Sequence, residues 1–140
     1  RMSPLESLLD SSVDAAEVAW LVSKRAAAIR SRDAEYLASR YAPAALTFGV
    51  APPLAAMHGE ARRVDWLRDW LDAFDGRIRY SVRELIVSVG GDLAFCHSLD
   101  AFSARQRPGR RREMRFATTL CMERISGVWL VTAERVHVME

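Results

Sequence analysis

The stretch FCHSLDAF (95–102) sets one histidine inside a run that otherwise has the composition of a buried strand. Imidazole titrates near neutral pH, so a histidine beside a carboxylate in an apolar cavity can serve as general acid or base. The carboxylate orients the ring and stabilises its protonated form. Glu84 is the acid that the strand pattern sets against His97, and Arg135 adds a fixed positive charge suited to an enolate, carboxylate or phenolate oxygen. Tyr80, Trp66, Trp70 and Phe48 supply aromatic walls for a planar, largely apolar ligand, with Tyr41 and Thr118 completing the expected ligand-binding set.

Each of these residues also has a plainer reading. Glu84 and His97 can form a buried pair that satisfies its own hydrogen bonds and meets no substrate. Arg135 can pair with Glu84 or leave the pocket rim for solvent, and Trp66 and Trp70, four apart on a helix, can be core and rim. Trp129 reads as core and His137 as a solvent or interface residue. His58, His97 and His137 share no metal-ligand spacing on a common element, so no metal is expected. A phosphate-binding glycine loop and a nucleophile elbow are both missing, and no cofactor is expected.

The elements that must position these groups follow from periodicity. Residues 13–32 are alanine-rich, with Val18, Leu21, Val22, Arg25 and Ile29 along one helical stripe. Residues 1–12 are either flexible or the start of this helix. Asp33 can cap a short second helix, AEYLASRY, that stops before Pro43, and ALTF (45–48) is a brief strand. Residues 61–74 form a third helix, with Val64, Leu67, Leu71 and Phe74 as its apolar stripe and Gly76 as its end.

Four strands fill the rest of the chain, separated by Gly90-Gly91, Pro108-Gly109 and Ser126-Gly127, so an antiparallel meander is expected. Helices first and one sheet afterwards make an α+β domain with the helices on one face. If each spacer is a two-residue turn, Glu84 lies opposite His97 and Thr118 opposite Arg135, on a face shared with Ile78, Tyr80, Phe95, Leu99, Phe116, Leu120, Trp129, Ala133 and His137. That face is the more apolar and is expected to carry the core. Pro-Gly favours a turn that splays strands, so the second hairpin is the one where a longer loop is admissible.

Composition bounds the rest. The 140 residues, half of them hydrophobic, suffice for one domain spanning 1–140, with a formal net charge of +2. No window of apolar residues is long enough for a membrane helix, and RMSPLESLLDSS has no secretory pattern, so a cytoplasmic location is expected. Cys96 and Cys121 fit neither a CxxC pair nor a zinc framework and are expected as reduced thiols. RQRPGRRREMR (105–115) could suggest nucleic acid, but its turn dipeptide and lack of interleaved aromatics read instead as a solvated hairpin tip, so no nucleic-acid partner is expected.

RDAEYLASRYAP, VGGDLAFCHSL and SGVWLVTAERV, together with the helix–helix–strand–helix start, resemble the nuclear transport factor 2-like superfamily, and within it SnoaL-like, ketosteroid-isomerase-like proteins. The resemblance runs from about Ala15 to Val138. It implies a cystatin-like cone, with a curved sheet of four to six strands wrapped round the helices to enclose an apolar pocket, and a homodimer paired through the sheet. Members include isomerases, dehydratases, polyketide cyclases, epoxide hydrolases and pure binding or assembly domains. Ketosteroid isomerases carry an aspartate base just after the first strand; here the position holds Gly49, and no carboxylate lies between Glu35 and Glu60. The H-x-H of many relatives falls at Ala133 and Arg135. The expectation is therefore a small-molecule pocket protein, either a cofactor-independent acid–base enzyme of isomerase, cyclase or dehydratase type on a hydrophobic carbonyl or aromatic compound, or a non-catalytic ligand-binding or assembly domain.

Overall fold

The computed structural model describes residues 3–48 and 60–139. Gly49 and His58 lie outside them. Ser3 starts helix α1 (Pro4–Ser31) with a capping box, its side chain accepting from the Glu6 amide while Glu6 reaches back to the Ser3 amide. The helix is thus already formed over most of residues 1–12. Val18, Val22, Ala26 and Ile29 form its buried stripe, and Arg32 ends it in the left-handed region. Asp33 caps α2 (Ala34–Ser39) by accepting from the Tyr36 amide at 3.0 Å. Strand β1 (Tyr41–Phe48) begins four residues earlier than ALTF, with Pro43 exposed. Helix α3 (Glu60–Asp72) ends short of Gly76, which lies instead within β2 at φ +66°.

The long strands are β2 (Phe74–Gly90), β3 (Leu93–Gln106), β4 (Arg110–Ile125) and β5 (Val128–Met139). Among the described residues they form, together with β1, one five-stranded sheet in the order β1-β5-β4-β3-β2, in which only β1 is parallel to its neighbour. The expected meander is present, but three local features change which side chains face the core.

The first turn is Gly91-Asp92, with Gly90 paired to Leu93, one position later than the double glycine suggests. A bulge follows: Arg83 pairs with Leu99 and Ile86 with His97, so Glu84 and Leu85 together oppose Ser98. Glu84 adopts φ +51°, and this extra residue switches the facing of the strand. Ile78, Tyr80 and Val82 before it, and Leu85, Val87 and Val89 after it, all turn inward, while Ile86 is left 59% exposed. A non-glycine residue in that conformation costs about 1–2 kcal/mol. Glu84→Gly is therefore expected to raise stability by about 0.5–1 kcal/mol in urea melts, and Glu84→Val to lower it.

The second turn has three residues, Arg107 to Gly109, between the Gln106–Arg110 pair. This sets Ala94, Cys96, Ser98, Asp100, Phe102 and Ala104 of β3 on the inner side with Phe116, Thr118, Leu120 and Met122 of β4. The β4 facing agrees with expectation and the β3 facing is its reverse. The third turn is Ser126-Gly127 as expected, but a bulge at Thr132 separates the pairs Met122–Val131 and Cys121–Ala133. Beyond it Glu134, Val136 and Val138 face inward, and Ala133, Arg135 and His137 outward. Two apolar clusters fill the interior, one around Leu71, Phe74, Phe102 and Phe116, the other around Val18, Leu120 and Trp129.

Candidate functional site

The three groups expected to do chemistry together are not brought together. Glu84 is the exposed bulge residue, and His97 lies on the outer side of the sheet, half-buried between Ile86 and Thr119. Arg135 is exposed on that outer side, opposite Thr119 and beside Phe48 of β1 rather than across from Thr118. The physical reason is parity: a one-residue bulge or a three-residue turn moves a whole run of side chains to the opposite face.

The inner face holds a different polar group. Asp100, 3% exposed, accepts from Ser98 Oγ at 2.7 Å, from Thr118 Oγ1 at 3.0 Å and from the Tyr80 hydroxyl. These donors come from β2, β3 and β4, so among the described residues the side chains that hold the carboxylate are all neutral hydroxyls. Glu134, 6% exposed, accepts from Arg25 Nη2 of α1 at 2.5 Å and from the Tyr41 hydroxyl of β1 at 2.8 Å. The Arg25 charge also acts on Tyr80, whose hydroxyl donates to Asp100, so the two carboxylate groups are linked electrostatically.

Burial raises both phenols well above the ordinary tyrosine value; the neighbouring carboxylate adds to the shift, Glu134 for Tyr41 and Asp100 for Tyr80, while Arg25 opposes it. Desolvation pulls Arg25 toward losing its proton, but Glu134 and the two phenols hold it charged, its pKa well above the usual arginine value. Burial pushes the Cys96 thiol up to about 11.

Of the expected ligand-binding residues, Tyr41, Tyr80 and Thr118 belong to this network. Trp66 and Trp70 stack with centroids 6.4 Å apart, and Trp70 also meets Phe74 and Phe102, which places the pair at the edge of the core. Phe48 is 53% exposed at the end of β1. Arg63 is fully buried and donates to the Ala42 and Ala45 carbonyls, its guanidinium 4.7 Å from the Tyr41 ring centroid. Asp100, Ser98, Glu134, Arg25 and Arg63 were not singled out from sequence. The one available signal was Arg25, whose place within the apolar stripe of α1 requires an acidic partner in the core.

The chemistry open to this arrangement is that of two buried carboxylates in unlike settings. Glu134 is committed to a cation, whereas Asp100 is held by neutral hydroxyls.

Three comparisons bear on this fold. The sequence matches the SnoaL-like domain family over residues 18–134. The chain belongs to that family. Its structure is similar to an NTF2-like protein of unknown function from Pseudomonas putida KT2440, at 23% identity over 90% of this chain and 87% of that one, with a TM-score of 0.77. A candidate scytalone dehydratase from Novosphingobium aromaticivorans superposes with a TM-score of 0.82 at 12% identity, covering 94% of this chain and 89% of that one. A hexachlorocyclohexane dehydrochlorinase does so with a TM-score of 0.80 at 16% identity, covering 96% and 90%. The sequence has no match among curated proteins. At these identities the likeness carries the fold, a cystatin-like, NTF2-like α+β domain. No helix among the described residues is long and apolar enough to cross a membrane.

Proposed function

We propose that the inner face of the sheet is a small-molecule site that moves a proton without a cofactor, on a hydrophobic compound carrying a carbonyl or aromatic group. Asp100 is the proton acceptor and donor. Tyr80, between Asp100 and Arg25, exchanges its internal hydrogen bond for one to the ligand oxygen, and the Arg25 charge stabilises negative charge developing there. Thr118 and Ser98 hold Asp100 in place, while Trp66 and Trp70 offer apolar wall. The single observation that carries this reading is a deeply buried carboxylate whose side-chain donors among the described residues are all hydroxyls, on the same inner face as a second carboxylate already neutralised by arginine. Similarity to proteins named as a dehydratase and a dehydrochlorinase is compatible with proton abstraction of this kind.

The rival is a non-catalytic ligand-binding or assembly domain, favoured by the fact that both carboxylates already have internal donors. Deuterium exchange at the α-carbon of 2-tetralone in D2O, followed by NMR, separates the two. Wild type is expected to accelerate exchange and Asp100→Asn to reduce that acceleration by about a hundredfold or more. Exchange at the uncatalysed rate with both proteins, alongside unchanged tetralone binding, would remove the catalytic reading. We also propose a homodimer through the outer face, where Ile86, Leu93 and Phe95 expose an apolar patch for a second copy; a monomer by sedimentation would overturn that.

A further inference from the structure

Six arginines fall within residues 105–115, against one acid, Glu113. Folding brings two of them, Arg105 and Arg111, together with Arg77 and Arg79 of β2. In the row that crosses β2, β3 and β4, Asp75 pairs with Arg105 and Arg105 with Arg111, so two arginines stand directly opposite one another. In the next row Arg79 pairs with Ser103 and Ser103 with Glu113. Opposed residues on one face sit about 5 Å apart and diagonal ones roughly 7–8 Å apart, so Arg105 has Arg111 as its direct neighbour and Arg79 as its diagonal one. Like charges in such pairs are destabilising unless something negative lies between them.

The protein supplies little of that negative charge. Asp75 is engaged by Arg107 at 2.5 Å, and Glu113 makes one exposed 3.7 Å contact with Arg111. Among the described residues no carboxylate lies within ion-pair distance of Arg77, Arg79 or Arg105. These side chains surround a cleft of about 500 Å³ lined by Asp75, Gly76, Arg77, Arg79, Arg105 and Arg111. Gly76 bulges from β2 at φ +66°, and Arg32, the residue that caps the end of α1, donates to the carbonyls of both Gly76 and Leu71. Next to the cleft, the Ser103 hydroxyl is buried with no hydrogen-bond partner among the described residues.

We propose that this cleft binds a diphosphate group, either inorganic or carried by a small metabolite, at a site separate from the Asp100 network. Guanidinium forks match phosphate oxygens two at a time, and the four arginines lining this cleft supply enough donors for two linked phosphates. Among the described residues no aromatic one lines the cleft, which therefore shows none of the stacking platform that single-stranded nucleic acid uses. An anion bound here relieves the Arg105–Arg111 repulsion, so binding stabilises the fold.

The test is thermal unfolding with pyrophosphate, sulfate or chloride at matched ionic strength. Saturating pyrophosphate is expected to raise Tm by about 2–5 °C over the chloride control, with sulfate giving less than half of that. Arg105→Gln with Arg111→Gln is expected to abolish the shift while leaving Tm in chloride unchanged or higher, because the repulsion is gone. Arg83→Gln, elsewhere on β2, keeps the full shift. Equal shifts with all three anions, or an undiminished shift in the double variant, would overturn the proposal. So would a single-stranded oligonucleotide that displaces pyrophosphate at lower concentration with a steep salt dependence, since that outcome makes the patch a nucleic-acid surface.

Discussion

Arg25→Met is expected to lower the unfolding free energy by about 3–5 kcal/mol in urea melts at neutral pH, one of the largest losses available to a single replacement here. Methionine fits the apolar stripe of α1 between Val18, Val22 and Ile29, so the loss does not come from packing. It comes from Glu134, which is buried and takes its charge compensation from Arg25 at 2.5 Å. With the guanidinium gone, Glu134 must carry an uncompensated charge or take up a proton. Arg25→Met combined with Glu134→Gln removes both charges and leaves an amide oxygen to accept from Tyr41, so the double variant should recover most of the loss. A double variant as unstable as the single one would show that the arginine acts through its volume, not its charge.

Alkaline pH is the second large effect. Tyr41 and Tyr80 are two of the three tyrosines, and burial beside Glu134 and Asp100 holds their phenols neutral well past the ordinary value. In the unfolded chain both ionise near pH 10. Their contribution to stability is therefore complete below about pH 10 and is lost above it, because there the unfolded chain releases protons that the folded one retains. Each phenol removes up to about 1.4 kcal/mol per pH unit, so the domain should unfold in a steep alkaline transition. Phenolate absorbance should show two tyrosines appearing together with loss of helical signal. Tyr80→Phe should cost about 1–3 kcal/mol at neutral pH, since Asp100 loses a donor, while roughly halving the alkaline slope. Gradual titration of Tyr80 in a folded protein would contradict its place in the network.

The elements themselves were readable in one dimension. The apolar stripe of α1, the Asp33 cap, the stripe through Leu67 and Leu71 and the strand run beyond it are local patterns, and local patterns are what periodicity and turn residues report. The facing of β3 was not readable. Its outer residues Phe95, His97, Leu99 and Ala101 look more like a core than the inner Ala94, Cys96, Ser98 and Asp100, and the choice between them rests on parity. Parity was decided by a bulge at Glu84, a three-residue turn before Arg110 and a bulge at Thr132. Neither bulge is marked by glycine, so neither has a sequence signature.

The amino-acid order by itself therefore determined the α+β architecture and the membership in its family, because helix caps, apolar periods and turn residues act over a few neighbours. Only tertiary structure decided which carboxylate is buried and who holds it. Asp100 is satisfied by hydroxyls from three strands and Glu134 by a helix and a strand roughly a hundred residues away in sequence. Such partners are chosen by register, and one residue more or less at a bulge exchanges the inside of the sheet for the outside.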